Sequence, residues 1–277
     1  MLKHYIQLMK IIQEYGLIEF LEDNVSKIHL GDNKNIYRKL LMGFNVMRGK
    51  GSYLSETIAE SGTGKSLEDE IAFLLMIPKE YIFKKNLMTF ASFTRYSNIT
   101  EYYFDRLIVY FGDFGSKKSF KKIEDIFDVF KVLISEKEYS RDLSDKADNG
   151  NYENVTLNLK VNSIGGVYSS ILNSFTNNDK QLESRTIKST PAEVKEDELL
   201  RFIGYLNYEY SPQSLAKDKA GKELIKFQEY LKYLVNSDIV IVNPYIDLFM
   251  EYSQESEVSI RELKQQLELF DGYCLLT

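Results

Sequence analysis

The octapeptide Ala59-Glu60-Ser61-Gly62-Thr63-Gly64-Lys65-Ser66 decides how the rest of this chain is read. It fits the phosphate-loop pattern, Gly followed by four residues and then Gly-Lys-Ser/Thr, at every position but the first, where alanine stands for glycine. Glycines permit a tight turn whose backbone N–H groups face phosphate oxygens, the Lys65 ammonium reaches the outer oxygens, and the Ser66 hydroxyl is a magnesium ligand. Tyr53 to Ile58 reads as a short strand leading into this turn, and Ser66 to Leu75 carries the apolar spacing of the helix it opens. Glu60, Ser61, Gly62, Thr63, Gly64, Lys65 and Ser66 are therefore the expected nucleotide contacts, with ATP and Mg2+ as the ligands.

Downstream, Pro78 ends the first unit, a strand is expected around Leu87 to Thr89, and a helix through Phe93 to Phe104. Leu107 to Phe111 is an apolar run bounded by Gly112, suited to a buried strand, and Asp113 stands at its acidic end. A carboxylate there is expected to hold the magnesium shell or orient water, with Asp105 and Glu124 as less well-placed substitutes. Ile123 to Ile134 has helical spacing, Val155 to Val161 alternates as a strand or hairpin arm, and Ile164 to Ser169 and Thr186 to Ser189 supply further strands. Strands separated by helical patterns imply an α/β fold with a mainly parallel sheet covered on both faces.

Upstream, residues 1–23 read as helix interrupted at Gly16, and Asp32 to Leu41 as a helix before the glycine-punctuated stretch Gly43 to Gly51. Beyond Pro191 the pattern is mostly helical, over Leu199–Leu206, Leu224–Leu234, Pro244–Met250 and Ser259–Phe270. The expected division is an N-terminal helical region over 1–50, a P-loop ATPase core over 51–192 and a mainly helical C-terminal region over 193–277.

With 44% apolar and 27% charged residues in 277, the chain has material for a substantial core. A net charge of −6 gives no global attraction to nucleic acid, so any such contact must be a local basic surface. Cys274 has no second cysteine to pair with, and His4 and His29 make no zinc cluster. Neither a signal-peptide core nor a run of roughly 20 apolar residues is present, and a cytoplasmic location is expected. The 17 Phe and 20 Tyr admit two uses, packing in an amphipathic core or stacking on bases.

The ordered motifs resemble those of the AAA+/superfamily-3-like ATPases of phage and mobile-element primase–helicase proteins. The resemblance runs from about Tyr53 to Thr190, through Glu60–Ser66, the strand ending at Asp113, Leu133–Asp142, Val167-Tyr168-Ser169-Ser170 and Gln181–Thr186. It implies a P-loop NTPase core of AAA+/superfamily-3 type flanked by smaller helical regions. It implies that Ser169 or Ser170, with Ser170 favoured, senses the attacking water or terminal phosphate. It also implies that Arg185, or failing it Arg141, completes the ATP site of a neighbouring subunit in a closed ring, often of six. Gly112-Asp113-Phe114 departs from the family's paired acids, and no primase metal cluster is recognisable.

The implied function is an ATP-dependent DNA helicase or DNA-remodelling ATPase in phage or mobile-element replication, working as a homo-oligomer with replication proteins. Lys117, Lys118, Lys121 and Lys122, with Phe120 among them, form the candidate DNA-backbone contact. Arg38, Arg48 and Lys50 make a second basic group. The competing class is a nucleotide-dependent helicase loader or regulatory module without unwinding activity.

Overall fold

Among the described residues the strands are β1 (Tyr53–Ile58), β2 (Ile82–Lys84), β3 (Ile108–Phe114), β4 (Glu138–Lys146), β5 (Tyr152–Lys160), β6 (Gly165–Ser170) and β7 (Thr186–Ser189). The computed structural model describes residues 16–60, 65–85, 88–114, 124–146, 152–170, 180–191, 212–237 and 267–268. Five strands form one sheet in the order β2-β3-β6-β1-β7, and every pairing in it is parallel. This is an α/β architecture consistent with a P-loop-like core. β4 and β5 pair separately as an antiparallel two-stranded ribbon, from Glu138 opposite Lys160 to Lys146 opposite Tyr152. The strand expected at Val155–Val161 is thus a hairpin arm, and its partner overlaps the motif segment that ends at Asp142.

The sheet is covered on two faces by different chemistry. On the first lie α1 (Leu17–Val25), α2 (Lys34–Met47), α3 (Lys65–Asp69, continued as a π-helix over Glu70–Leu75) and α7 (Pro212–Val235). They share one cluster with Tyr53, Ile108 and Val167 of the sheet, built around Ile36, Leu40, Phe44, Phe73, Leu224 and Phe227. On the second, α4 (Phe90–Thr94) and α5 (Glu124–Glu136) pack with Leu54, Val109, Phe111 and Tyr168 in a largely aromatic cluster. Phe93 and Phe104 stack with centroids 4.3 Å apart, and Phe127 meets Tyr168 edge-on at 5.0 Å. A short helix, α6 (Lys180–Glu183), precedes β7.

Several boundaries differ from the sequence expectation for identifiable reasons. α2 runs through Gly43 instead of ending before it, because that glycine serves close packing. A Cβ there would sit 3.0 Å from Ile77 Cδ1 and 3.2 Å from Ile108 Cδ1. The strand expected near Leu87–Thr89 lies earlier, at Ile82–Lys84, while Thr89 accepts a hydrogen bond from the Ser92 N–H and caps α4. The helix expected through Phe104 stops at Thr94 and continues as a 3-10 turn over Arg95–Asn98. β3 does not end at Gly112 but passes through it to Phe114.

The outer edge of β7 is covered by α2. Arg38 donates to the Lys188 carbonyl at 2.8 Å and Asn35 to the Thr190 carbonyl at 2.7 Å, which removes acceptors from an otherwise open sheet edge. Asn45 and Tyr53 both reach Glu268, through its carbonyl and its carboxylate. The helices expected at Leu199–Leu206 and Pro244–Met250 lie outside the described residues, as does Ser259–Phe270 apart from Leu267 and Glu268.

Candidate nucleotide site

β1 carries the chain to the phosphate loop at the C-terminal end of the parallel sheet, the end at which open α/β sheets bind ligands. The Ala59 N–H continues the ladder to the Ser170 carbonyl at 3.1 Å, Ala59 is buried and Glu60 is exposed. Ser61, Gly62, Thr63 and Gly64 lie outside the described residues. The chain resumes at Lys65, the first residue of α3, and Ser66 is exposed on its first turn. A strand before the motif and a helix after it, as the pattern requires, are therefore present.

β6 lies between β1 and β3, and the register aligns Asp113, Ser169, Thr57 and Ser189 in one row across four strands. Asp113 joins this row through a backbone irregularity. The pairing of β3 with β6 shifts between Tyr110 and Gly112, and Gly112 has φ +83°. One extra residue reverses the alternation of side chains. Phe114 consequently packs in the aromatic cluster, while Asp113 beside it takes the face of Ser169. Burial pushes the Tyr110 phenol up, and the charges of Asp69, Glu70 and Asp113 add to the shift. A Cβ on Gly112 would meet nothing within 4 Å, so the glycine is needed for its backbone angle alone. The residue that interrupts the expected acidic pair is the one that turns the remaining acid.

The two serines after β6 point to opposite faces. Ser169 Oγ donates to Asp69 Oδ2 at 2.8 Å, on the α3 face. Ser170 Oγ donates to Glu56 Oε1 at 2.9 Å, and both residues are fully buried on the α5 face. Asp69 Oδ1 also accepts from Thr57 Oγ1 at 3.0 Å and from Lys39 Nζ at 2.8 Å. Lys39 reaches Glu68 Oε2 at 2.9 Å as well.

Sequence reading missed Lys39, Asp69 and Glu56. A signal for the first two was available. Lys39 falls in the stripe Ile36, Leu40, Gly43, Met47, and Asp69 in the stripe Ala72, Phe73, Met76, so each is a charge at a core position of a helix. Glu56 had no such signal, since a strand buried on both faces has no polar side to violate.

Arg185 lies at the opposite end of the sheet from its own phosphate loop. Its carbonyl accepts from Leu54 N–H at the start of β1, roughly 15 Å from Ala59 at the usual strand rise. Its guanidinium donates to Ser135 Oγ at 2.7 Å and to the Gln181 carbonyl. Arg141 lies on β4 with its guanidinium 5.0 Å from the Phe90 ring centre. Asp105 accepts from the Asn162 and Ser163 N–H groups and serves as a loop anchor, and Glu124 is exposed on the first turn of α5. Lys117, Lys118, Lys121 and Lys122 lie outside the described residues.

One turn along α3 from the loop, an open groove of about 550 Å³ runs between α3 and α7. Leu67, Ile71 and Leu74 form one wall, Gly221 and Ile225 the other, and Lys217 and Lys222 stand at the rim. Glu70 and Asp218 also line it, so the slot is apolar with charged groups of both signs. Among the described residues no group of three or more metal-ligating side chains is assembled, and no helix is long and apolar enough to cross a membrane.

No family model matches the chain, and no curated protein matches it. Among solved structures it is similar to one titled as SCCmec type IV Cch, an active helicase, at 13% identity and a TM-score of 0.39, over 100% of this chain and 46% of that one. The chain thus spans less than half the length of that protein, and what stands on its own residues is an α/β protein whose parallel sheet carries a phosphate-loop sequence at its ligand-binding end.

Proposed function

We propose that this chain is a magnesium-dependent ATPase of the AAA+/superfamily-3 type that remodels or unwinds DNA in mobile-element or phage replication. The observation that carries the nucleotide part is the row Asp113, Ser169, Thr57, Ser189 beside the end of β1, from which the Gly-Thr-Gly-Lys-Ser sequence departs. Lys65 and the loop amides Glu60 to Gly64 bind the phosphates, Ser66 and Asp113 hold the magnesium shell, and the groove beside Leu67 takes the nucleoside. ATP supplies the phosphoryl group whose transfer to water releases the free energy used. Asp113 orients that water from the position its glycine gives it. Of the two serines, Ser169 shares the Asp113 face and is the better placed to sense the terminal phosphate, with Ser170 tied to Glu56 on the other side.

Arg185 belongs to the motor part. Its place at the far end of β1 suits a residue that serves a neighbouring subunit, where its guanidinium would neutralise the transferred phosphoryl group. Such a site is complete only between copies, so a homo-oligomer, with a hexameric ring as the family form, is part of the reading. Lys117, Lys118, Lys121 and Lys122 are the proposed DNA contact.

The test combines assembly mass with ATP turnover, with and without forked DNA. DNA-stimulated turnover and unwinding, both lost in Lys65→Ala and in Arg185→Ala, is the expected result. ATP binding without hydrolysis or unwinding under assembling conditions replaces the motor with a nucleotide-controlled loader or switch. Absence of magnesium-dependent ATP binding by calorimetry removes both.

A further inference from the structure

A fully buried charged cluster among the described residues joins α2 to the start of α3. Lys39, from α2, is 2% exposed, and Glu68 and Asp69, from α3, are fully buried. One ammonium serves two neighbouring carboxylates, at 2.9 Å to Glu68 Oε2 and 2.8 Å to Asp69 Oδ1. The hydroxyls of Thr57 and Ser169 complete the Asp69 carboxylate, whereas Glu68 Oε1 has no hydrogen-bond partner among the described residues. A buried group of this kind with net charge −1 stands only because the lysine is there.

Its position gives it a use beyond holding helices together. Thr57 is two residues before Ala59, and Glu68 and Asp69 are two and three residues after Ser66. The hydrogen bond from Thr57 Oγ1 to Asp69 Oδ1 therefore joins the strand that enters the phosphate loop to the helix that leaves it. The loop hangs from a closed base. Ser169 ties that base to the strand next to Asp113, and Lys39 ties it to α2, whose Asn35 and Arg38 grip the carbonyls of β7 and its exit.

We propose that Lys39 is a positioning residue for the nucleotide site: by holding Asp69 against Thr57 and Ser169 it fixes the separation of the two ends of the phosphate loop, and so presets the loop for triphosphate. The proposal rests on the nucleotide reading above. Removing the ammonium leaves two adjacent buried carboxylates that repel each other and shift the first turn of α3, which carries Lys65 and Ser66. The α2 helix, though far from the motif in sequence, is then part of the nucleotide site's support.

Calorimetry of Mg2+-ATP with the full chain, read as affinity and as stoichiometry, tests this. Lys39→Met is expected to weaken affinity at least tenfold at unchanged stoichiometry, because every folded molecule carries a mispositioned loop. A merely structural role predicts the reverse, wild-type affinity with a reduced fraction of binding sites, and that result overturns the proposal. Lys39→Met with Glu68→Gln restores the original net charge and is expected to recover most of the affinity. Where Lys39→Met does not fold, Thr57→Val removes one hydrogen bond from Asp69 and leaves the charges intact. It is expected to weaken affinity several-fold, and wild-type affinity overturns the proposal. Lys65→Ala and the unmodified chain separate the two readings. If the unmodified chain fails to bind Mg2+-ATP, the nucleotide site itself is refuted and the positioning role with it. If it binds and the Lys39 and Thr57 variants bind equally well, the positioning role alone falls.

Discussion

The two faces of the sheet are packed by different means. The α5 face is a mixed aliphatic and aromatic cluster in which Phe111, Phe127, Phe130 and Tyr168 interlock, and it also holds the buried polar pair Glu56 and Ser170. The α2 and α3 face has an aliphatic and aromatic core too, but at the C-terminal ends of the strands it changes to Lys39, Glu68, Asp69, Thr57 and Ser169. The first arrangement is built mainly of apolar side chains. The second concentrates charge where the phosphate loop begins, and a β-bulge at Gly112 adds Asp113 to the same side. The clustered charges and hydroxyls thus gather on one of two well-packed faces, with β6 contributing alternate residues to each.

This division is broken most severely by Phe130→Ala. Phe130 is fully buried against Phe93 and Phe111, and its truncation is expected to cost about 3–5 kcal/mol in denaturant unfolding. The molecules that remain folded should bind Mg2+-ATP with unchanged affinity, since the residue faces away from the site. Lys65→Ala should do the opposite, removing roughly 2–3 kcal/mol of phosphate binding, about 100-fold in Kd, with little change in unfolding midpoint. Gly112→Ala sharpens the comparison, because nothing crowds a Cβ there and only the backbone angle objects. It should cost about 1–2 kcal/mol in unfolding, and turnover should fall further than stability as Asp113 loses its orientation. The smallest effect is expected for Asn35→Ala, which frees one exposed carbonyl at Thr190, worth about 0.5–1.5 kcal/mol of unfolding free energy and no measurable loss of nucleotide affinity.

How legible this was depended on the kind of signal. β1 and β7 appear at their expected bounds, Tyr53–Ile58 and Thr186–Ser189, since short β-rich runs between turn residues leave little choice. α2 was read too short because Gly43 looks like a break in one dimension and proves to be a contact with Ile77 in three. β2 was misplaced because its three residues, Ile82–Lys84, have too little pattern to compete with the run near Leu87. At the candidate site, the place of Asp113 after an apolar strand is legible in the sequence. Its facing is not, because a bulge is defined by the pairing of two strands that are separated by a hairpin in sequence.

By itself the sequence determined the α/β alternation and a parallel sheet, and it carries a phosphate-loop pattern, because each follows from short-range signals: glycine spacing, apolar period and the turns between. Only the tertiary structure decided that β6 lies between β1 and β3, that Ser169 and Ser170 serve opposite faces, and that Lys39 supports Asp69. Those facts depend on which strand pairs with which and which helix crosses the sheet. Residues far apart in the chain become neighbours there through hydrophobic burial that is indifferent to their order, and the polar groups carried along must then find partners among whatever burial has brought close.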